Sequence, residues 1–174
     1  QSILHLSSSD RCIEGFGRTY QIPHPFEGMS VFENVLVGAV FGNNYSEKEA
    51  EQLTLDILEQ TGLINKAENL AGSLSLLERK RLELARALST QPKILLLDEI
   101  AGGLTEHEVK ELIELILQIK NNGVSIIWIE HIVHALLSVV DRLIAINFGE
   151  LLIEGEPKTV MDSPQVKEVY MGVE

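Results

Sequence analysis

The sequence predicts an α/β protein with a parallel sheet, an α-helical subdomain ahead of the central strand, and a β-hairpin and closing helix after it. Three observations carry that prediction. The runs Lys93-Ile94-Leu95-Leu96-Leu97-Asp98-Glu99 and Val124-Ser125-Ile126-Ile127-Trp128-Ile129-Glu130 are short and almost wholly apolar, the texture of strands buried on both faces. A helix-patterned stretch separates them, and strand, helix, strand in that order is a βαβ unit with parallel strands. Helix starts are marked chemically by the Ser/Thr-x-x-Glu spacing of a capping box at Ser30/Glu33, Ser46/Glu49, Ser75/Glu78 and Thr105/Glu108.

Taken in order, residues 1–20 are mixed and turn-rich. Gly15-Phe16-Gly17 has neither a preceding apolar strand nor a third glycine, so it does not make a dinucleotide loop. After Gln21, the prolines of Ile22-Pro23-His24-Pro25 forbid a helix and force an extended joint. The first helix begins at Ser30. The second carries Ala50, Leu53, Ile57 and Leu58 on one face and stops at Gly62, a suitable C-cap residue. The third runs from Leu76 to about Leu88, with Leu82, Ala85 and Leu88 as its apolar stripe. After the strand ending at Glu99, Ala101-Gly102-Gly103-Leu104 turns into a fourth helix that buries Val109, Leu112, Ile113 and Ile116 and stops at Asn121-Asn122-Gly123. A helical segment over 132–140 precedes a hairpin, with strands 143–146 and 151–153 around Asn147-Phe148-Gly149-Glu150. Ser163-Pro164 then caps a closing helix whose face is Val166, Val169 and Tyr170.

Composition narrows the function classes. With 174 residues and 45% apolar content, the chain can bury one good core, or a core and a small subdomain. Its net charge of −12 opposes a nucleic-acid surface, which needs clustered cations. The one dense basic run, Arg79-Lys80-Arg81, reads as a solvated helix face. Cys12 is the single cysteine, so no internal disulfide is possible and an intracellular compartment is expected. No run reaches the ~18 apolar residues of a membrane span, so contact with a membrane is expected through a partner rather than by insertion. The start at Gln1 rather than methionine leads us to expect that the original N-terminus is missing.

In parallel sheets, ligands bind beyond the carboxyl ends of the strands. Asp98, Glu99 and His131 all lie at such ends, on strands joined by one crossover, so they can share a site suited to metal and water chemistry. Alone, Asp98-Glu99 is equally an acidic turn after a buried strand, and His131 a structural histidine. His131-x-x-His134 with Glu130 lacks the further ligands a metal cage needs.

With these residues in place, the chain resembles the nucleotide-binding subunits of ABC transporters. Gln21 before the proline joint resembles the Q-loop. Leu74-Ser75-Leu76-Leu77-Glu78 and the following Arg79 to Leu88 resemble the signature motif and its helix. Ile94 to Glu99 is similar to the Walker B strand with its adjoining glutamate, Gly102 to Thr105 lies where the D-loop would be, and His131 matches the switch histidine. The textures Gly17-Arg18-Thr19-Tyr20-Gln21, Ile129-Glu130-His131 and Tyr170-Met171-Gly172 resemble the branched-chain amino-acid importer branch. The resemblance implies a P-loop NTPase-like core, incomplete at its N-terminus. Residues 1–22 would be the remnant leading to the Q-loop, 23–88 the helical signature subdomain that docks a membrane-embedded permease, and 89–174 the rest of the ATPase core. It further implies ATP and Mg²⁺ as ligands, a second ATP-binding subunit as partner, and a place on the inner face of the cell membrane. Asp98 and Gln21 would hold the metal, Glu99 would activate water, Gln21 would sense both, and His131 would contact the γ-phosphate. Ser75, Leu76, Leu77 and Glu78 would present a helix N-terminus to nucleotide held by the second subunit; the Ser75/Glu78 spacing is equally explained as an ordinary cap.

The sequence also departs from the family pattern. No glycine-rich loop with a lysine lies between Gln1 and Tyr20, so the chain alone is expected to be inactive. Leu76 and Leu77 replace the usual paired glycines, Ile100 a proline and Thr105 an aspartate. Two readings therefore stand: an ATP-hydrolysing subunit that powers an importer, or a truncated or degenerate module that docks a permease without hydrolysing ATP.

Overall fold

A computed structural model describes residues 3–43 and 45–171; Gln1 and Gly172, singled out in the sequence, lie outside them. The chain forms two compact units, residues 1–132 and 133–174.

In the first unit, α1 (Ser8–Ile13) and β1 (Phe16–Arg18) are followed by three longer helices, α2 (Val31–Asn43), α3 (Glu47–Gln60) and α4 (Leu76–Leu88). Then come β2 (Ile94–Asp98), α5 (Glu106–Asn121) and β3 (Ser125–Ile129). The three strands form one parallel sheet in the order β1-β2-β3. Leu95 lies opposite Gly17 on one side and Ile126 on the other.

Each of the four expected capping boxes forms. Ser46, Ser75 and Thr105 are N-caps whose hydroxyls accept from the N3 backbone while the N3 glutamate answers the cap N–H. At Ser30, Glu33 Oε2 accepts from the backbone N–H at 2.7 Å and Ser30 Oγ accepts from Glu33 N at 3.1 Å. A fifth box, Ser7/Asp10, starts α1. That helix and β1 correct the expectation of a turn-rich N-terminal segment. Serine and aspartate favour caps as well as turns, and a three-residue strand carries too little pattern to be read from sequence.

Helices α2, α3 and α4 pack on one another, and α4 also packs on β1. The α2–α4 approach is close because Gly38 leaves room: a Cβ there would lie 2.1 Å from Ser89 Oγ and 2.9 Å from the Arg86 carbonyl. Leu82, Leu84, Leu95, Leu97, Leu112, Ile116 and Ile119 are buried in this unit.

Two further expectations need correcting. The strands are not buried on both faces: Leu95, Leu97 and Trp128 are covered, whereas Ile127 and Ile129 on the opposite face are 58% and 63% exposed. The run Arg79-Lys80-Arg81 is not a solvated face either. Lys80 is buried, Arg79 donates to the carbonyls of Leu74 and Gly72, and Arg81 pairs with Glu111 of α5 at 2.5 Å. Both reversals are tertiary effects that periodicity along one segment does not encode.

The second unit contains α6 (Val133–Leu137), the antiparallel hairpin β4 (Leu143–Asn147) and β5 (Glu150–Gly155), then α7 (Pro157–Asp162) and α8 (Pro164–Val166). Phe148 and Gly149 both take positive φ, 47° and 82°, as a two-residue turn matching the strand twist requires. A small core of Ala145, Val160 and Val166 is flanked by Leu143, Leu152, Ile153 and Met161. The closing helix is shorter than expected. After Val166 the backbone widens into a π-helical turn over Lys167–Met171, and Val169 and Tyr170 are exposed. Among the described residues, no helix is long and apolar enough to cross a membrane.

Candidate functional site

Asp98 ends β2 on the face opposite Leu97, and Glu99 follows with its own N–H bonded to the Ile129 carbonyl of β3 at 2.8 Å. Glu99 has φ +44°, a left-handed conformation that costs a non-glycine residue of order 1 kcal/mol and is met at functional sites. Around its carboxylate the chain assembles two of the other residues singled out in the sequence. Gln21 Nε2 donates to Glu99 Oε2 at 2.6 Å, and His131 Nδ1 lies 3.5 Å from the same oxygen. Asp98 and Glu99 are about one-third exposed and His131 more than half, so the group opens to solvent.

Gln21 reaches this place because α4 grips the proline joint. Lys80 Nζ donates to the Gln21 carbonyl at 2.6 Å. Two turns on from Lys80, Arg86 pairs with Glu83 at 3.2 Å, donates to the His24 carbonyl at 3.0 Å and stacks over Phe26 at 4.9 Å. Burial pushes the Lys80 ammonium down from its usual pKa, while the carboxylates of Glu130, Glu83 and Glu99 pull it back up. Burial likewise pushes the Glu83 carboxyl up against the pull of Arg86.

Asp98 Oδ2 accepts from Arg18 Nη2 at 3.0 Å, and Arg18 lies over the Tyr20 ring. Thr19, fully buried, bonds its N–H to the Leu96 carbonyl and holds β1 against the strand that carries Asp98. For Mg²⁺ the donor chemistry fits. Asp98 keeps Oδ1 beside the oxygen paired to Arg18, and Gln21 engages Glu99 through nitrogen, leaving its amide oxygen; both are the hard oxygen ligands this ion takes, a few at a time, alongside water. Among the described residues, no three His, Cys, Asp or Glu side chains converge as a metal cage.

Ser75, Leu76, Leu77 and Glu78 form a second group at the N-terminus of α4. Glu78 Oε2 accepts from Ser75 N at 2.8 Å and its other oxygen pairs with Lys66 at 3.2 Å. Leu76 is 42% exposed and abuts the turn after Glu99: a Cβ on Gly103 would lie 3.1 Å from Leu76 Cδ2. Sequence reasoning missed Arg18, Lys80, Glu83, Arg86 and Glu130. Lys80, Glu83 and Arg86 recur every three residues on the α4 face that meets the joint, a signal visible in the sequence only to a reader who knew that face was covered.

The family model described as ABC transporter matches residues 6–102. The chain is 35% identical over 173 residues to the high-affinity branched-chain amino acid transport ATP-binding protein LivG of Salmonella typhimurium, covering 91% of this chain and 68% of that protein. To BraF of Pseudomonas aeruginosa, named for the same transport, it is 33% identical over 174 residues with the same coverage. Among solved structures, MJ1267, an ATP-binding cassette of an ABC transporter in its ADP conformation, superimposes with a TM-score of 0.85 at 29% identity, over 99% of this chain and 74% of that one.

Proposed function

Because the chain belongs to the ABC transporter family, we propose that it is the ATP-binding, ATP-hydrolysing part of a subunit that powers a membrane importer, for branched-chain amino acids or related solutes. One observation supports a hydrolytic role above the rest: Gln21, Glu99 and His131, far apart in sequence, meet at the carboxyl ends of parallel strands, with Gln21 and Glu99 in direct contact.

In this reading Gln21 and His131 both meet Glu99 at Oε2, which among the described residues leaves Oε1 to orient and deprotonate the attacking water. Gln21 holds that carboxylate in place and joins it to the α2–α4 layer through Lys80. Asp98, acting through a water, and the Gln21 amide oxygen would hold Mg²⁺, which supplies charge neutralisation at the phosphate oxygens. His131 meets the γ-phosphate. Ser75 to Glu78 offer the N-terminus of α4 to a nucleotide carried by a second subunit. Residues 23–88 dock a permease on the inner face of the cell membrane, and the Gln21 joint passes nucleotide state to it.

Residues 1–174 taken alone hold ATP weakly, since residues 1–20 contain no glycine-rich lysine loop to cradle the phosphates. Steady-state Mg-ATP turnover by a chain that carries such a loop ahead of these residues, with no turnover in residues 1–174 alone, is the expected result. Absence of turnover in that loop-bearing chain, alone and with a permease, would sink the reading. Leu76 and Leu77 favour a second reading, because side chains in place of glycines crowd the approach of phosphate to the backbone. Under it, the same assay is silent while permease binding persists.

A further inference from the structure

Glu130 immediately follows β3, and its side chain is fully shielded from solvent. Its two oxygens serve two different turns. Oε2 accepts from the backbone N–H of Ala101 at 3.0 Å, in the turn that leaves β2 through Glu99. Oε1 accepts from the backbone N–H groups of His131 at 2.9 Å and Ile132 at 3.2 Å, in the turn that leaves β3. The same Oε1 lies 3.2 Å from Nδ1 of the His131 ring. A single buried carboxylate thus ties together the two strand-end turns that carry Glu99 and His131.

The His131 ring is constrained as well. Its Nδ1 faces two carboxylates, Glu130 at 3.2 Å and Glu99 at 3.5 Å. Two carboxylates this near favour a proton on Nδ1 over one on Nε2 through their charge, which leaves Nε2 to face whatever the site binds. Lys80 lies within electrostatic reach of both carboxylates and donates to the Gln21 carbonyl, so the third segment of the site is joined to the same charge cluster.

We propose that Glu130 is a positioning residue for Glu99 and His131: it locks the two strand-end turns to one carboxylate and holds His131 in the Nδ1–H tautomer. Partners that orient a metal-bound histidine are commonly worth about 10–100-fold in activity, and an effect of similar size is expected for the orientation of His131. Glutamine keeps the shape of Glu130 but accepts through one oxygen only, so it can satisfy one turn and not both.

The tautomer stands on geometry alone, whereas the kinetic consequence rests on the ATPase reading, so the two are measured separately. In the 174-residue chain, nitrogen-15 spectra of the histidine side chains should show His131 protonated on Nδ1. Glu130→Gln should shift His131 towards a mixture of tautomers while the circular dichroism spectrum is retained. His131 protonated on Nε2 in the unsubstituted chain overturns the proposal, and that measurement needs no variant to fold. An unchanged tautomer in a folded Glu130→Gln chain overturns it too. In a chain that carries a glycine-rich lysine loop ahead of these residues, Glu130→Gln should lower kcat for ATP about 10–100-fold with little change in KM. A rise in KM with kcat intact overturns the positioning role. A loop-bearing chain without ATPase activity defeats the ATPase reading instead, and leaves the tautomer result to decide the role of Glu130.

Discussion

Glu99 gathers Gln21 and His131 around one carboxylate, and under the proposed function that arrangement says which substitutions separate binding from turnover. Under that reading Glu99→Gln keeps the side-chain volume but removes the base, so kcat in a chain that carries a glycine-rich lysine loop ahead of these residues should fall at least about 100-fold while nucleotide still binds. Undiminished turnover would remove Glu99 from the mechanism. Lys80 affects the same site from behind. Lys80→Met leaves the Gln21 carbonyl without its buried donor, and losing one partner of a buried hydrogen bond commonly costs about 1–3 kcal/mol. Urea denaturation of the 174-residue chain reads this directly, and a loss below about 1 kcal/mol would mean that the burial of Lys80 is incidental. At Gly38 a methyl group has no room against Ser89 and the Arg86 carbonyl. Gly38→Ala should therefore destabilise by about 1–3 kcal/mol, although alanine is the better helix former.

The helices declare their starts through reciprocal caps, and these also set a pH dependence. Glu78 and Glu108 have pKa values held below the ordinary 4.5, first by the backbone N–H groups of Ser75 and Thr105 that donate to them. A folded value below the unfolded one adds stability that is complete above the unfolded pKa and lost as pH falls through the folded one. Urea midpoints should thus decline as pH is lowered from about 5 towards 3. Thr105→Ala, which removes the hydroxyl half of one box, should cost about 1 kcal/mol at neutral pH and reduce that decline. Glu83 acts in the opposite sense: burial raises its pKa, so its contribution falls as pH rises through the raised value. A net acid response that follows Glu83 rather than the caps would show up as stability increasing on mild acidification.

For the whole chain, the layer of α2, α3 and α4 covers the proline joint and the back of β1, while Ile127 and Ile129 remain exposed on the sheet face that also bears Asp98. Calorimetry of the 174-residue chain with Mg-ATP should show little or no binding; micromolar affinity would mean that the phosphates are held without a glycine-rich loop. The sequence by itself determined what is local or regular. It specified the parallel βαβ unit from two apolar runs, four helix starts from capping spacings, the hairpin from Asn147 to Glu150, and the strand-end positions of Asp98, Glu99 and His131, because periodicity and turn chemistry act over a few residues. Tertiary structure alone decided the rest. It turned Lys80 from a supposed surface cation into the buried donor that holds Gln21, assigned Glu130 to two turns at once, and left one sheet face uncovered. Those outcomes depend on which segments far apart in the chain come to face each other, and burial, pairing and pKa arise from that encounter rather than from either segment alone.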